Sequence, residues 1–198
     1  MLISRFGGWT PSWGKIKMIA EAIIYEINPA KVRLTQKRIN EIIAGLCGEE
    51  AVPVMEFIGD NKNVSEFQLA EELGLEIAKV RQILYRVHNY GLAIYKRKKD
   101  RKKGWYISYW TFLKENIKPT LEKLREERLE HLRERLVREE KNKGNFYLCP
   151  SGDVRLDFDD AVENGYKCPE CGKLLLNQDN TRTIQFLKEK IAQLEMDA

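Results

Sequence analysis

From Leu34 onward, apolar positions recur at helical spacing. In "TQKRINEIIAGLCG", Ile39, Ile42, Ile43 and Leu46 share one side of a helix. Gly48 ends it, because a glycine enters the left-handed region of a helix stop without steric cost. "AVPVMEFIGD" reads as a second short helix, with Pro53 in the first turn, where no intrahelical N–H bond is lost. In "VSEFQLAEELG", Ser65 followed three residues later by Gln68 is a capping box, and Gly74 stops the helix it opens. The next helix carries Ile77, Val80, Ile83, Leu84 and Val87 at helical spacing and stops at Gly91. Two helices about a Gly-centred turn make a helix-turn-helix.

After Gly91 the period changes from 3.6 to 2. "LAIYKRKK" alternates, "DRKKG" turns, and "WYISYWTF" is aromatic and β-branched, so a β-hairpin follows. A helix-turn-helix with a hairpin after it predicts a winged helix over residues 34–113. Trp105 and Tyr109 fall on one side of the second strand and Tyr106 and Trp110 on the other; alternation alone does not say which side is inward.

Residues 1–33 have no such pattern. "FGGWTPSWG" lacks a period, and "KIKMIAEAIIYEI" is at most a short helix, so this part is expected to be a poorly defined extension, or an upstream start with Met18 as the true one. Trp9 and Trp13 are its candidate docking residues. Residues 114–144 predict a long charged helix. Leu121, Leu124, Leu132 and Leu136 form a narrow stripe and Glu/Arg pairs cover the other faces, as suits a linker largely in solvent. Residues 145–180 read as two short hairpins, "FYLC" with "VRLDF" and then "YKCPECGKLLL", around a short helix in "DDAVENG". Residues 181–198 make a terminal helix with Ile184, Leu187, Ile191 and Leu194 along a seam. The fold class expected is α+β, mainly α.

Charge alters this picture at one place. The chain carries a net +4, yet "KRKKDRKK" (Lys96 to Lys103) alone carries +6, which leaves the remainder at −2. The spike falls on the hairpin tip. A local spike on a near-neutral chain points to contact with a polyanion. The candidate nucleic-acid contacts are Lys96, Arg97, Lys98, Lys99, Arg101, Lys102 and Lys103, with Trp105 and Tyr106 as stacking faces. Lys79, Arg81, Gln82 and Arg86 on the preceding helix are of a kind found on any exposed helix face. "MIAEAIIYEI" is interrupted by Glu21 and Glu26 and is too short to span a bilayer, so no membrane contact and a cytoplasmic location are expected.

Of four cysteines, Cys47 sits in an apolar helical pattern and reads as a small buried hydrophobe. Cys149, Cys168 and Cys171 cluster. Cys168-Pro-Glu-Cys171-Gly is a zinc knuckle, its Pro shaping the turn and its Gly letting N–H groups reach the sulfurs. The partner turn, Cys149-Pro-Ser-Gly152, has glycine where a second thiolate belongs. Three outcomes stay open: zinc on three thiolates plus a water or a carboxylate, with Asp153 nearest; a metal-free β-domain; or a distant histidine as fourth ligand. Against an enzyme stand the absence of a catalytic constellation and the placement of Asp157, Asp159 and Asp160 at a helix N-terminus.

The order of parts, with "LAEELGLEIAKVRQILYRVHNYGLAIYKRKKDRKKGWYISYW" and "FYLCPSGDVRLDFDDAVENGYKCPECGKLL", resembles the archaeal transcription factor E family, counterpart of the alpha subunit of the eukaryotic general factor IIE. The resemblance covers residues 34–198. It implies a basal initiation factor without catalytic activity that binds RNA polymerase at its clamp and stalk. It further implies help in promoter opening beside the single-stranded non-template strand, as a monomer or with a second subunit. The resemblance carries zinc ligands onto Cys149, Cys168 and Cys171, and Gly152 departs from the pattern. The main alternative is a sequence-specific winged-helix repressor, dimeric through the long helix, with a metal-sensing tail. Another is a scaffold on polymerase or the ribosome that touches no DNA.

Overall fold

The computed structural model describes residues 24–25, 27–61, 63–99 and 104–196. Trp9, Trp13, Met18 and the candidate contacts Arg101, Lys102 and Lys103 lie outside them. The fold is α+β and mainly helical, in two compact units that divide between Leu124 and Arg125.

The first unit has α1 (Gln36–Cys47), α2 (Ala51–Asp60), α3 (Glu66–Leu73) and α4 (Ile77–Asn89). Its three-stranded antiparallel sheet contains β1 (Val64–Ser65), β2 (Ala93–Lys99) and β3 (Tyr106–Phe112) in the order β1-β3-β2. Local chemistry starts and stops the helices where the pattern says. The Thr35 side chain accepts from the Arg38 N–H, and Gly48 follows α1 at φ 91°. The Ser65–Gln68 capping box forms in both directions, at 3.2 and 3.0 Å, and Gly74 takes the left-handed cap at φ 61°.

The apolar stripes of α1, α2 and α4 meet in one core with Leu92, Ala93 and Trp110. Each fully buried Ile or Leu there contributes about 1.5–3 kcal/mol. Ile27 is buried in the same core and Val32 packs against it, so packed chain begins ahead of Leu34. Cys47 is fully buried, and burial pushes its thiol up to about 12, as suits an inert core residue. The Tyr106/Trp110 side of β3 faces inward: Ser108 and Trp110 are buried. Strand β1 has no sequence signal, being two residues long; it exists because Val64 pairs with Trp110 and Ser65 with Tyr109. A 3-10 turn (Lys114–Asn116) leads into α5 (Ile117–Lys141), whose Ile117 and Leu121 are buried in this core. Asn116 and Thr120 donate to the Gly91 and Tyr90 carbonyls, supplying donors that a helix C-terminus leaves wanting.

The second unit contains the remainder of α5, β4 (Phe146–Leu148), β5 (Arg155–Leu156), α6 (Phe158–Glu163), β6 (Leu176–Gln178) and α7 (Thr181–Met196). Its sheet runs β5-β4-β6, all antiparallel. The first expected hairpin forms as β4 and β5. The second forms only as a single antiparallel Lys167–Leu174 bridge, carried by the Cys168 N–H to the Lys173 carbonyl and the Leu175 N–H to the Tyr166 carbonyl, both at 2.8 Å, after which the chain moves on to pair β6 with β4. Inside that bridge the Gly172 N–H bonds back to the Cys168 carbonyl, so the turn residues add no further rungs.

Asp157 caps α6, and Ile184, Leu187, Ile191 and Leu194 of α7 are buried as their spacing requires. Polar groups lock the rest. Arg155 makes a two-pronged contact with Glu139 at 2.8 and 2.9 Å while stacking over the Phe146 ring at 3.6 Å. Asn180 donates to the Glu139 carboxylate (2.7 Å) and carbonyl (2.9 Å) and accepts from the Gly144 N–H (3.1 Å). Among the described residues no helix is long and apolar enough to cross a membrane.

Candidate nucleic-acid interface and metal centre

The β2–β3 pair presents its cations on both faces. Registry runs from Ala93 opposite Phe112 to Lys99 opposite Tyr106. Strand alternation therefore puts Arg97 and Lys99 on the side of Tyr95 and Trp110, and Lys96 and Lys98 on the side of Tyr109. All four are exposed. Arg97 lies over the Tyr95 ring at 5.4 Å and Lys98 over the Tyr109 ring at 5.3 Å, leaving both charges open to solvent. Among the described residues, no carboxylate forms an ion pair with any of the four. Tyr106 is 65% exposed on β3. Trp105 stands one residue ahead of the strand rather than on it, 50% exposed, with its ring stacked on Phe67 at 6.3 Å.

Helix α4 is the opposite case. Lys79 pairs with Glu50 at 2.6 Å, and the Arg81 guanidinium grips Glu66 through Nε and Nη2, both at 2.8 Å. Arg86 turns back to the Cys47 carbonyl (2.5 Å) and Glu50 (3.2 Å). The Lys79 hydrogen bond holds the Glu50 carboxyl below its ordinary range, with Arg86 adding to the effect. None of these pairings is legible in sequence, because the partners lie 15 to 39 residues apart and meet only through packing. His88 settles locally: its Nδ1 stands 2.7 Å from the Ala93 carbonyl at the start of β2.

In the second unit the fold brings Cys149, Cys168 and Cys171 together, and Asp153 with them. The four ligand atoms all lie within 4.8 Å of one another. The Cys149 and Cys171 sulfurs are 3.4 Å apart and the Asp153 Oδ2 is 3.3 Å from the Cys149 sulfur. Sulfurs bound tetrahedrally at ~2.3 Å stand roughly 3.7 Å from each other, so the cluster has the size zinc requires. Three thiolates with one carboxylate also suit zinc's borderline softness. The Ser151 N–H points at the Cys149 sulfur (3.4 Å), the outer-shell donation expected of a knuckle. Hydrogen bonds from the Cys171 and Cys149 thiols hold the Asp153 carboxyl below its usual range. His131 is exposed on α5, 3.8 Å from Glu134, and belongs to no such cluster.

Known proteins repeat this arrangement of sequence. The family model of the TFIIE alpha subunit matches residues 37–142. Transcription factor E of Metallosphaera sedula is 34% identical over 158 residues, covering 79% of this chain and 89% of the relative. The chain belongs to the TFIIE alpha subunit family. Further members with which it aligns are transcription factor E of Thermococcus kodakarensis, 36% identical over 81% of this chain and 86% of the relative, and of Natronomonas pharaonis, 38% identical over 80% and 87%. Membership in this transcription-factor family agrees with the resemblance drawn from the hairpin and knuckle residues. The family match spans the α1–α4 bundle, the cationic strand pair and all of α5.

Proposed function

We propose that the chain is a basal transcription initiation factor without catalytic activity, which binds RNA polymerase at its clamp and stalk and helps to open promoter DNA. In this reading the first unit is a winged helix whose wing is the β2–β3 pair, and the second is a zinc ribbon held through Cys149, Cys168 and Cys171. The wing holds the melted non-template strand near the upstream edge of the bubble. Lys96, Arg97, Lys98, Lys99, Arg101, Lys102 and Lys103 contact phosphates, while Trp105 and Tyr106 offer faces for unpaired bases. The factor works in the cytoplasm, as a monomer or with a second subunit.

The observation that carries this reading is the division of cations between α4 and β2. A repressor reads base edges with long polar side chains free to enter the major groove. Here Lys79, Arg81 and Arg86 are tied to Glu50, Glu66 and the Cys47 carbonyl, whereas the β2 cations face solvent. Free, clustered cations next to exposed rings suit a charged single strand better than a specific duplex site.

The test is a variant with Lys98, Lys99, Arg101 and Lys102 changed to serine. With about four phosphates neutralised at roughly −0.7 each, log affinity for a melted strand should fall against log salt with a slope near −3. The variant keeps Lys96, Arg97 and Lys103, so its slope should be clearly shallower without vanishing, and permanganate reactivity of promoter DNA with polymerase should drop most on promoters that melt poorly. Folding stability should move by less than about 0.5 kcal/mol, as these side chains are exposed. Equal salt slopes for both proteins would remove the wing from DNA and give it to a protein surface.

A further inference from the structure

The two cysteine turns differ by a one-residue shift of a glycine, and that shift decides which side chain completes the metal site. Each turn is closed by the same outer bond: the Cys149 N–H reaches the Val154 carbonyl at 3.0 Å, and the Cys168 N–H reaches the Lys173 carbonyl at 2.8 Å. Both loops therefore span six residues. In the second, the inner bond runs from the Gly172 N–H to the Cys168 carbonyl, and the left-handed residue is Gly172, at φ 72°. The ligand, Cys171, stands just before that glycine. In the first, the inner bond comes one residue earlier, from the Gly152 N–H to the Cys149 carbonyl, and Gly152 itself is left-handed, at φ 79°.

With the left-handed residue moved to the place where a second cysteine would stand, the side chain aimed at the cluster is the one after the glycine. That residue is Asp153. Its Oδ2 lies 3.3 Å from the Cys149 sulfur. A carboxylate also reaches one bond further from its Cβ than a thiolate does. Lys173, which reaches back to the Ser151 hydroxyl at 2.7 Å, brings a cation beside it to offset a site of four anionic ligands.

We infer that Asp153 is the fourth zinc ligand, so that the site is Cys-x3-Asp with Cys-x2-Cys rather than a four-cysteine knuckle that has lost a member. This rests on the reading that the cluster holds zinc. It also implies that restoring cysteine at Gly152 does not improve the site. Space is open there, but a Cβ in the left-handed region is strained by roughly 1–2 kcal/mol.

The experiment takes the full chain, loaded with zinc alone and freed of excess metal. Elemental analysis of the wild type tests the zinc reading. Zinc-edge X-ray absorption and chelator competition, on wild type, Asp153→Ala, Asp153→Asn and Gly152→Cys, test the ligand. We expect one zinc per wild-type chain with three sulfurs at about 2.3 Å and one oxygen at about 2.0–2.2 Å. Losing an outer-shell partner already weakens a site about 10–100-fold, so Asp153→Ala should weaken zinc at least tenfold, with Asp153→Asn between it and wild type. Gly152→Cys should keep three sulfurs and gain no affinity. A wild type without zinc overturns both the zinc reading and the ligand. One zinc in the wild type, with Asp153→Ala equally tight, overturns Asp153 alone. So does a fourth sulfur and tighter zinc in Gly152→Cys. Should Asp153→Ala fail to fold, the wild-type absorption spectrum and the Gly152→Cys affinity still decide.

Discussion

Both compact units bury aliphatic stripes, but the sheet of the second is built on cysteines and a salt bridge. In the first, Ile39, Ile42, Ile43, Leu46, Ile58, Ile83, Leu84 and Trp110 share one continuous core. In the second, α7 buries Ile184, Leu187, Ile191 and Leu194, but the sheet packs on Cys149, Ala161, Cys168 and Leu175, and two of the four in that cluster are metal-ligand candidates. Beside that cluster stands the polar lattice of Glu139, Arg155 and Asn180. The difference teaches what a short sheet with few apolar residues needs: fixed points that supply free energy per residue well beyond what a methyl group does.

The largest effect expected from this contrast is the response to chelation. Structural zinc supplies about 10–16 kcal/mol in small fingers, so stripping it should unfold residues 146–178 and leave the first unit standing. Hydrogen exchange read amide by amide checks this: protection should collapse in β4–β6 and persist in α1–α4. Equal protection in both regions after chelation would mean that the second unit's own packing suffices.

The converse comes next in size. Ile42 is fully buried, and Ile42→Ala should destabilise the first unit by about 2–5 kcal/mol through lost burial and a residual cavity. Chelator resistance of the second unit should not move. A urea titration followed by exchange in each unit separates the two.

The smallest effect concerns the salt bridge. Hydrogen bonding from Arg155 holds the Glu139 carboxyl below its ordinary range, with Asn180 adding to it. A group whose folded value is depressed stabilises in full above its unfolded value, about 4.3 for glutamate, and loses that contribution as pH falls through the lower folded value. Glu139→Gln should therefore cost about 2 kcal/mol at pH 7. The gap from wild type should narrow as pH drops below about 4, measured as urea midpoints of the second unit. A gap that stays constant with pH would assign the loss to shape rather than charge.

Much of the fold is legible in local signals alone. Helix limits at Gly48, Gly74 and Gly91, the Ser65–Gln68 cap and the change of period after Gly91 all act over a few residues, and each stands where the pattern predicts. The pairing of Cys168 with Cys171 is legible too, because spacing within a turn is a local property. The second expected hairpin is cut short at one bridge, because the chain leaves it to pair β6 with β4.

Local order along the chain thus determined the elements, their sequence and the site's three thiols. Three things waited for the tertiary structure: the inward face of β3 with Trp110, the tethering of the α4 cations to Glu50 and Glu66, and the placing of Asp153 beside the sulfurs. The physical reason is common to all three. Periodicity and turn chemistry act over a few residues, whereas partner choice between distant side chains depends on which surfaces meet. Gly152, left-handed at φ 79°, precedes Asp153, whose carboxylate stands 3.3 Å from the Cys149 sulfur.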